Sequence, residues 1–132
     1  MKIRHLAVAI VLLGLQTAVF AQKVDVKKAF QHAATQTDLL LKEVEKAKDP
    51  QKPQLFSPRT IEDGHLKLVA SRDWTSGFFP GVLWYLDEFY GTEQWKTAAK
   101  KFTADVEQEK NNGTTHDMGF KIYCSYGTGY RL

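Results

Sequence analysis

An acid and a histidine stand side by side in TTHDMGF, residues 114–120, followed by a glycine and two bulky apolar side chains. A carboxylate at Asp117 has two jobs open to it. At the start of a helix it meets free N–H groups and the positive end of the helix dipole. Both favour the charged form and suit a cap or an electrostatic partner. To donate a proton near neutral pH it needs burial or a second carboxylate close by. The residue types alone favour the cap and leave the acid open. His116 reads most simply as a hydrogen-bonded structural histidine. His65 is remote, no HxH or HxxxH pairing occurs, and a metal site is poorly supported. Asn112-Gly113-Thr114 matches a glycosylation acceptor, a tripeptide common by chance, and carries no weight.

The second stretch with chemical potential is SRDWTSGFFPGVLWYL, residues 71–86, which holds two of the three tryptophans. Trp74 precedes the expected helix, on non-helical backbone where a side chain is free to face a cavity. Trp84 falls inside the helix and is expected in the core. An indole face attracts the apolar face of a sugar ring, and flanking hydroxyl and charged groups satisfy sugar hydroxyls. Spacing alone favours core packing for Trp74 as well, so a sugar-facing role stays an alternative at this point.

Helices must position these residues. Apolar side chains at Val26, Ala29, Phe30, Ala33, Leu40, Leu41, Val44 and Ala47 fall at helical intervals, with Thr37 filling the gap in the stripe. Asp49-Pro50 ends that helix, because the residue before proline avoids helical angles. Residues 49–64, with three prolines and Gly64, read as a long loop or irregular arm. A second helix is predicted from Gly77–Pro80 to a left-handed cap at Gly91, with Val82, Leu83, Leu86, Phe89 and Tyr90 as its apolar face. Thr92 is placed to cap a third, carrying Trp95, Ala98, Ala99, Phe102 and Val106 and fading into the polar EQEKNNG. A fourth starts near Thr115, runs toward Gly127 and ends in Gly-Thr-Gly. The segment HLKLVAS, 65–71, allows a short strand or edge; otherwise the class is all-α. Long loops and aromatic-rich faces point to the front portion of a larger helical domain.

The chain carries 18 Lys and Arg against 15 Asp and Glu. Residues 1–21 read as a secretory signal: Lys2, Arg4 and His5, an apolar run from Leu6 to Leu15, and Val19-Phe20-Ala21 before the cleavage point. The apolar run is too short to span a bilayer comfortably. Without this segment 16 basic residues face 15 acidic ones, a net of +1, and no Lys/Arg cluster remains to meet nucleic acid. The expected mature part is 22–132, exported to the periplasm or secreted, with no membrane partner after cleavage. Cys124 is the single cysteine, so no internal disulfide forms. Its neighbours Ile122, Tyr123 and Tyr126 suggest a buried, inert side chain, with no cation close in sequence to lower its pKa.

RTIEDGHLKLVASRDWTSGFFPGVLWYL, followed some thirty residues later by THDMGFKIYCSYGTGYRL, resembles the unsaturated glucuronyl hydrolases, glycoside hydrolase family 88. The resemblance covers nearly all of 56–132, with two motifs in the right order. It implies the N-terminal part of an (α/α)6 barrel of six helical hairpins. It also implies removal of the terminal unsaturated uronic acid from oligosaccharides left by polysaccharide lyases, without metal or organic cofactor. In that family the C4=C5 enol ether is hydrated, unlike ordinary glycoside hydrolysis between two carboxylates. Carried over, Asp117 matches one of two active-site aspartates, with His116 beside it as a substrate-binding residue. Trp74 and Phe78 match the aromatic wall of the sugar site. The second aspartate and the rest of the barrel are expected past Leu132, so the chain by itself is expected to be inactive and poorly stable. The sister unsaturated rhamnogalacturonyl hydrolases of pectin breakdown, and a non-catalytic helical carbohydrate-binding domain, are the competing readings.

Overall fold

The computed structural model describes residues 24–132. The expected signal segment lies outside them. Helix α1, Val26–Ala47, opens where Asp25 accepts the Lys28 N–H at 3.0 Å and closes at an extended Lys48, two residues before Pro50. From Phe30 on, its predicted stripe is the covered one: Val44 and Thr37 are buried, and Phe30, Ala33, Leu40, Leu41 and Ala47 pack on the core, whereas Val26 and Ala29 in the first turn are exposed.

The arm expected over 49–64 differs from the structure in its second half. Strand β1, Ser57–Glu62, pairs antiparallel with β2, His65–Val69, which falls inside the segment read as a short strand. The two-residue turn between Glu62 and His65 has both central residues at positive φ, Asp63 at 51° and Gly64 at 78°. Asp-Gly is the pairing such a tight turn demands, because its backbone twist matches that of the strands. Pro58, which argues against a strand in mid-sheet, is tolerated because this is a two-stranded sheet with a register break between Pro58 and Thr60.

Helix α2, Phe78–Tyr90, ends at Gly91, whose φ of 62° and N–H to the Asp87 carbonyl (2.7 Å) make the predicted left-handed cap. Helix α3, Glu93–Ala104, starts after Thr92 as expected, but the Thr92 hydroxyl makes no capping bond. The two pack as an antiparallel pair, Phe79 meeting Phe102 edge-on at 4.8 Å between centroids. Trp84 is core, its indole N–H donating to Thr103 Oγ1 at 2.9 Å. Around them lie Val44, Phe56, Leu68, Leu83, Leu86, Trp95, Ala99 and Val106. Each fully buried large side chain here contributes roughly 1.5–3 kcal/mol.

The face predicted for α2 is partly rotated. Phe79, Leu83 and Leu86 are buried, whereas Val82 and Phe89 are exposed. Sequence could not choose, since α2 is apolar nearly all round. Beyond α3, EQEKNNG does not simply fade: Glu107–Asn111 is a 3₁₀ turn with Glu109 buried. The fourth helix is a π-helix, Gly119–Gly127, running directly into α4, Thr128–Arg131. Gly-Thr-Gly therefore does not stop it. A Cβ at Gly129 would sit 2.7 Å from the Trp84 ring, so that glycine serves close packing. Cys124 is half-buried, and burial pushes its thiol up. Among the described residues no helix is long and apolar enough to cross a membrane.

Candidate active site

Trp74 stands on a series of turns, Ala70 to Phe78, closed by backbone bonds Asp73 to Ala70, Ser76 to Asp73 and Phe78 to Thr75. Asp73 stiffens them. One carboxylate oxygen accepts the Thr75 N–H (3.0 Å) and hydroxyl (2.7 Å), and the other accepts Arg59 at 2.9 Å. Held this way, Trp74 stays 44% exposed and Phe78 38% exposed. Core packing, the reading spacing favoured for Trp74, is thereby overturned. Among the described residues this indole is met edge-on and stays partly open.

The π-helix supplies the third ring. Phe120, 48% exposed, meets Trp74 at 5.8 Å and Phe78 at 5.6 Å, and Trp74 meets Phe78 at 5.7 Å. All three contacts are edge-to-face, the arrangement the ring quadrupoles prefer. The result is an open aromatic wall built from two elements far apart in sequence.

Two glycines let those elements meet. A Cβ on Gly77 would overlap the carbonyl oxygens of Lys121 and Phe120. One on Gly81 would lie 2.7 Å from the Cys124 carbonyl oxygen. Gly77 and Gly81, four apart on the same side of α2, therefore allow backbone-to-backbone approach of the π-helix. The π-turn itself is a rare geometry that recurs at functional sites.

Asp117 sits one turn before Phe120, and its carbonyl accepts the N–H groups of Phe120 (3.0 Å) and Lys121 (3.3 Å). The side chain does not cap. Its carboxylate accepts the Thr115 hydroxyl at 3.0 Å and stands 3.4 Å from the His116 ring nitrogen. The expected side-chain cap is therefore not made by Asp117: the Thr115 hydroxyl accepts the Asp117 N–H at 3.2 Å, and the acid group is free of helix N–H bonds. Asp117 is partly buried, whereas His116, read as a hydrogen-bonded structural histidine, is 97% exposed and has only the Asp117 carboxylate near its ring.

Beneath the wall runs a buried polar seam that the sequence did not disclose. Lys121 (1% exposed) donates to Glu109 (4%) at 3.1 Å. The same carboxylate accepts the Ser71 hydroxyl at 2.7 Å and the Asn112 amide at 2.7 Å. Burial pushes the Glu109 carboxyl up, but the bonds from Asn112, Ser71 and Lys121 outweigh it and hold it below the usual carboxylate range. The seam continues where Ser76 donates to the Ser71 carbonyl (2.8 Å) and Ser57 to the Ser76 carbonyl (3.3 Å). Two hollows, of about 360 and 380 Å³, lie beside Trp84 and Tyr130 and beside Lys48 and Asp105; neither takes in the wall or Asp117.

The structure thus brings Trp74 and Phe78 together and puts Asp117 at the foot of the helix bearing their partner Phe120. Phe120, in the same motif, passed unassigned, although its place three residues after Asp117 puts both on one helical side. Glu109 and Lys121 carry no local signal at all.

No protein-family model matches the chain. Curated relatives do. The unsaturated glucuronyl hydrolase of Formosa agariphila is 52% identical over 63 residues, 48% of this chain and 16% of that protein. The unsaturated glucuronyl hydrolase of Bacillus sp. strain GL1 is 35% identical over 65 residues, 46% of this chain and 17% of that protein. The matched segments thus span under a fifth of those relatives. A crystal structure of an unsaturated glucuronyl hydrolase specific for heparin superposes on 75% of this chain and 27% of its own, with a TM-score of 0.58 and 36% identity. That neighbour has an α/α barrel fold, and the mostly helical chain described here shares the corresponding part of it.

Proposed function

We propose that this chain, a homologue over part of its length of the unsaturated glucuronyl hydrolases, forms one side of a glycosidase site for unsaturated uronic acids. The reading is carried by one observation: an open three-ring wall shares its π-helix with a carboxylate that no helix N–H consumes. The substrate class is an oligosaccharide left by a polysaccharide lyase, ending in a 4,5-unsaturated uronic acid. Trp74, Phe78 and Phe120 take the apolar face of that ring, and exposed His116 reaches its hydroxyls. In the reaction a carboxylic acid delivers a proton to C4 and water adds at C5. The water's remaining proton returns to the donor carboxylate. The hemiketal so formed opens, and its collapse releases the neighbouring sugar. Asp117 is the charged partner, ordering the donor and stabilising positive charge as it develops at the ring. The donor is the second active-site aspartate that the resemblance implies. Two acids sharing a site hold their pKa values apart, so one stays protonated while the other stays charged.

In the intact protein, Asp117→Asn is expected to abolish the loss of enoate ultraviolet absorbance while leaving helix content unchanged. Turnover like that of the unaltered protein would overturn the reading. Chondroitin- or hyaluronan-derived disaccharides, assayed against pectin-derived ones, test a glycosaminoglycan preference, a reading supported by the heparin specificity named for the structural neighbour. Processing at Ala21 during export, read from the mature N-terminus, tests the localisation expected from residues 1–21.

A further inference from the structure

The aromatic wall has two halves that are not joined in sequence, and both are tied to one buried carboxylate. On one side Glu109 accepts the hydroxyl of Ser71, the residue that begins the turns carrying Trp74. On the other it accepts the ammonium of Lys121, the residue after Phe120 on the π-helix that Asp117 opens. Asn112 fixes Glu109 from its own turn, and every buried side-chain polar atom among the described residues has a partner.

A seam of this kind is a poor device for stability alone. Taking two charges out of water costs several kcal/mol per ion, and apolar side chains of similar volume often serve stability as well or better. Directional bonds give what apolar packing does not, a single register between two elements. The neighbourhood needs one. Gly77 and Gly81 remove the side chains that would otherwise key α2 against the π-helix, leaving glycine against carbonyl oxygens as the local contact. Among the described residues the side-chain tie from α2 to this helical run, Arg131 on Glu88, is exposed and lies at the far end of both, so at the wall the Glu109 bonds are the directional ones that set where Phe120 and Asp117 stand.

We propose that Glu109, with Ser71 and Lys121, is a positioning node that sets Trp74 against Phe120 and thereby fixes where Asp117 stands relative to the sugar. It acts through other residues and touches no substrate. The catalytic part of this inference rests on the glycosidase reading above; the geometric part does not.

The test uses the intact protein labelled with 5-fluorotryptophan, the Trp74 ¹⁹F resonance being assigned by its loss in Trp74→Phe. Ser71→Ala and Glu109→Gln are compared with Thr103→Val, which removes the buried partner of Trp84 at the opposite side of α2's core face. Ser71→Ala and Glu109→Gln are both expected to shift or broaden the Trp74 resonance. Thr103→Val is expected to move that of Trp84 alone. Per folded molecule, Glu109→Gln is expected to lower kcat at least about tenfold, as misplacement of a reacting group does. Combined, Ser71→Ala and Glu109→Gln should do less than the sum of the two alone, because one removes the bond to Ser71 and the other the charge that meets Lys121, at the same side chain. An unmoved Trp74 resonance in Ser71→Ala, whose small change leaves the ion pair intact, overturns the node, and so does one in folded Glu109→Gln. If the unaltered protein hydrates no unsaturated uronide, the glycosidase reading falls, while the resonance still decides the positioning.

Discussion

Phe78 and Phe79 are adjacent in sequence and belong to different parts of the molecule. Phe79 turns into the α2–α3 core against Phe102, whereas Phe78 turns out to meet Trp74 and Phe120. The tryptophans divide the same way, Trp84 in the core with its N–H on Thr103, and Trp74 half in solvent. Both clusters use edge-to-face rings at similar spacing. They differ in what stands behind the rings. The core cluster is backed by a second apolar helix, and the wall by a polar seam of Ser71, Ser76, Glu109 and Lys121. Residue type therefore says little about role here; the backing decides it. A core aromatic maximises buried area, while a wall aromatic is held at a set height with a face left uncovered.

The largest effect that separates the clusters is on stability. Phe79→Ala is expected to cost about 3–5 kcal/mol, the usual range for emptying a packed aromatic site. Phe78→Ala loses only two edge contacts, each about 0.5–1.5 kcal/mol, together with part of its burial. Chemical denaturation of both variants checks the difference, and equal losses would erase the distinction between core and wall. Next comes Gly77→Ala. Gly77 has an ordinary φ of −87°, so backbone strain does not oppose alanine, but as the residue that caps α2 it gains nothing from alanine's helix propensity. The clash with two carbonyl oxygens stands against alanine, and backbone yields poorly. A net destabilisation of about 1–3 kcal/mol is expected, with turnover falling further than the folded fraction does. A stabilised Gly77→Ala would show that α2 and the π-helix do not meet so closely.

Those two glycines also mark where sequence reading stops. Helix α1 was legible to the residue, since its stripe repeats over six turns and a proline closes it. Gly91 was legible because a left-handed cap is a local event. The Asp63-Gly64 hairpin carried its own signal, a two-residue turn between RTIE and HLKLV, and was masked by the prolines around it. Gly77 and Gly129 look like a helix start and a helix stop, and the reason for each lies in a partner more than forty residues away. Glu109 sits in a run that reads as solvated, and its partners are 12 and 38 residues distant. Of the site, Asp117, Trp74 and Phe78 came from the resemblance. Phe120 lay in view in the same motif. The seam depends wholly on tertiary contact, which periodicity does not report.

The loss of one wall ring reads in binding. Trp74→Ala gives up two edge contacts, each about 0.5–1.5 kcal/mol. Its mark should be on KM for an unsaturated disaccharide, rising about tenfold, which corresponds to roughly 1.4 kcal/mol of binding. Trp84→Phe, by contrast, should lower the melting temperature and leave KM alone. If Trp74→Ala left KM unchanged as well, the wall would be a packing surface and the division between the clusters would be one of exposure only.

The smallest effect reads the seam by pH. Glu109 has its pKa held below the ordinary glutamate value of 4.5 in the folded chain, so the sign is fixed. Its contribution to stability is fully present above the unfolded-state value and is lost as pH falls through the folded one. On the acid side the slope from this single proton is at most about 1.4 kcal/mol per pH unit. Glu109→Gln removes that proton, so its stability should fall less steeply than that of the unaltered protein as pH drops below about 4.5. The core cluster contains no titrating group, so Thr103→Val should lower stability evenly across the same range and leave the acid limb parallel. Parallel limbs for Glu109→Gln as well would mean that the carboxylate is not held ionised by Asn112, Ser71 and Lys121, and the polar backing that sets the wall apart from the core would lose its charge.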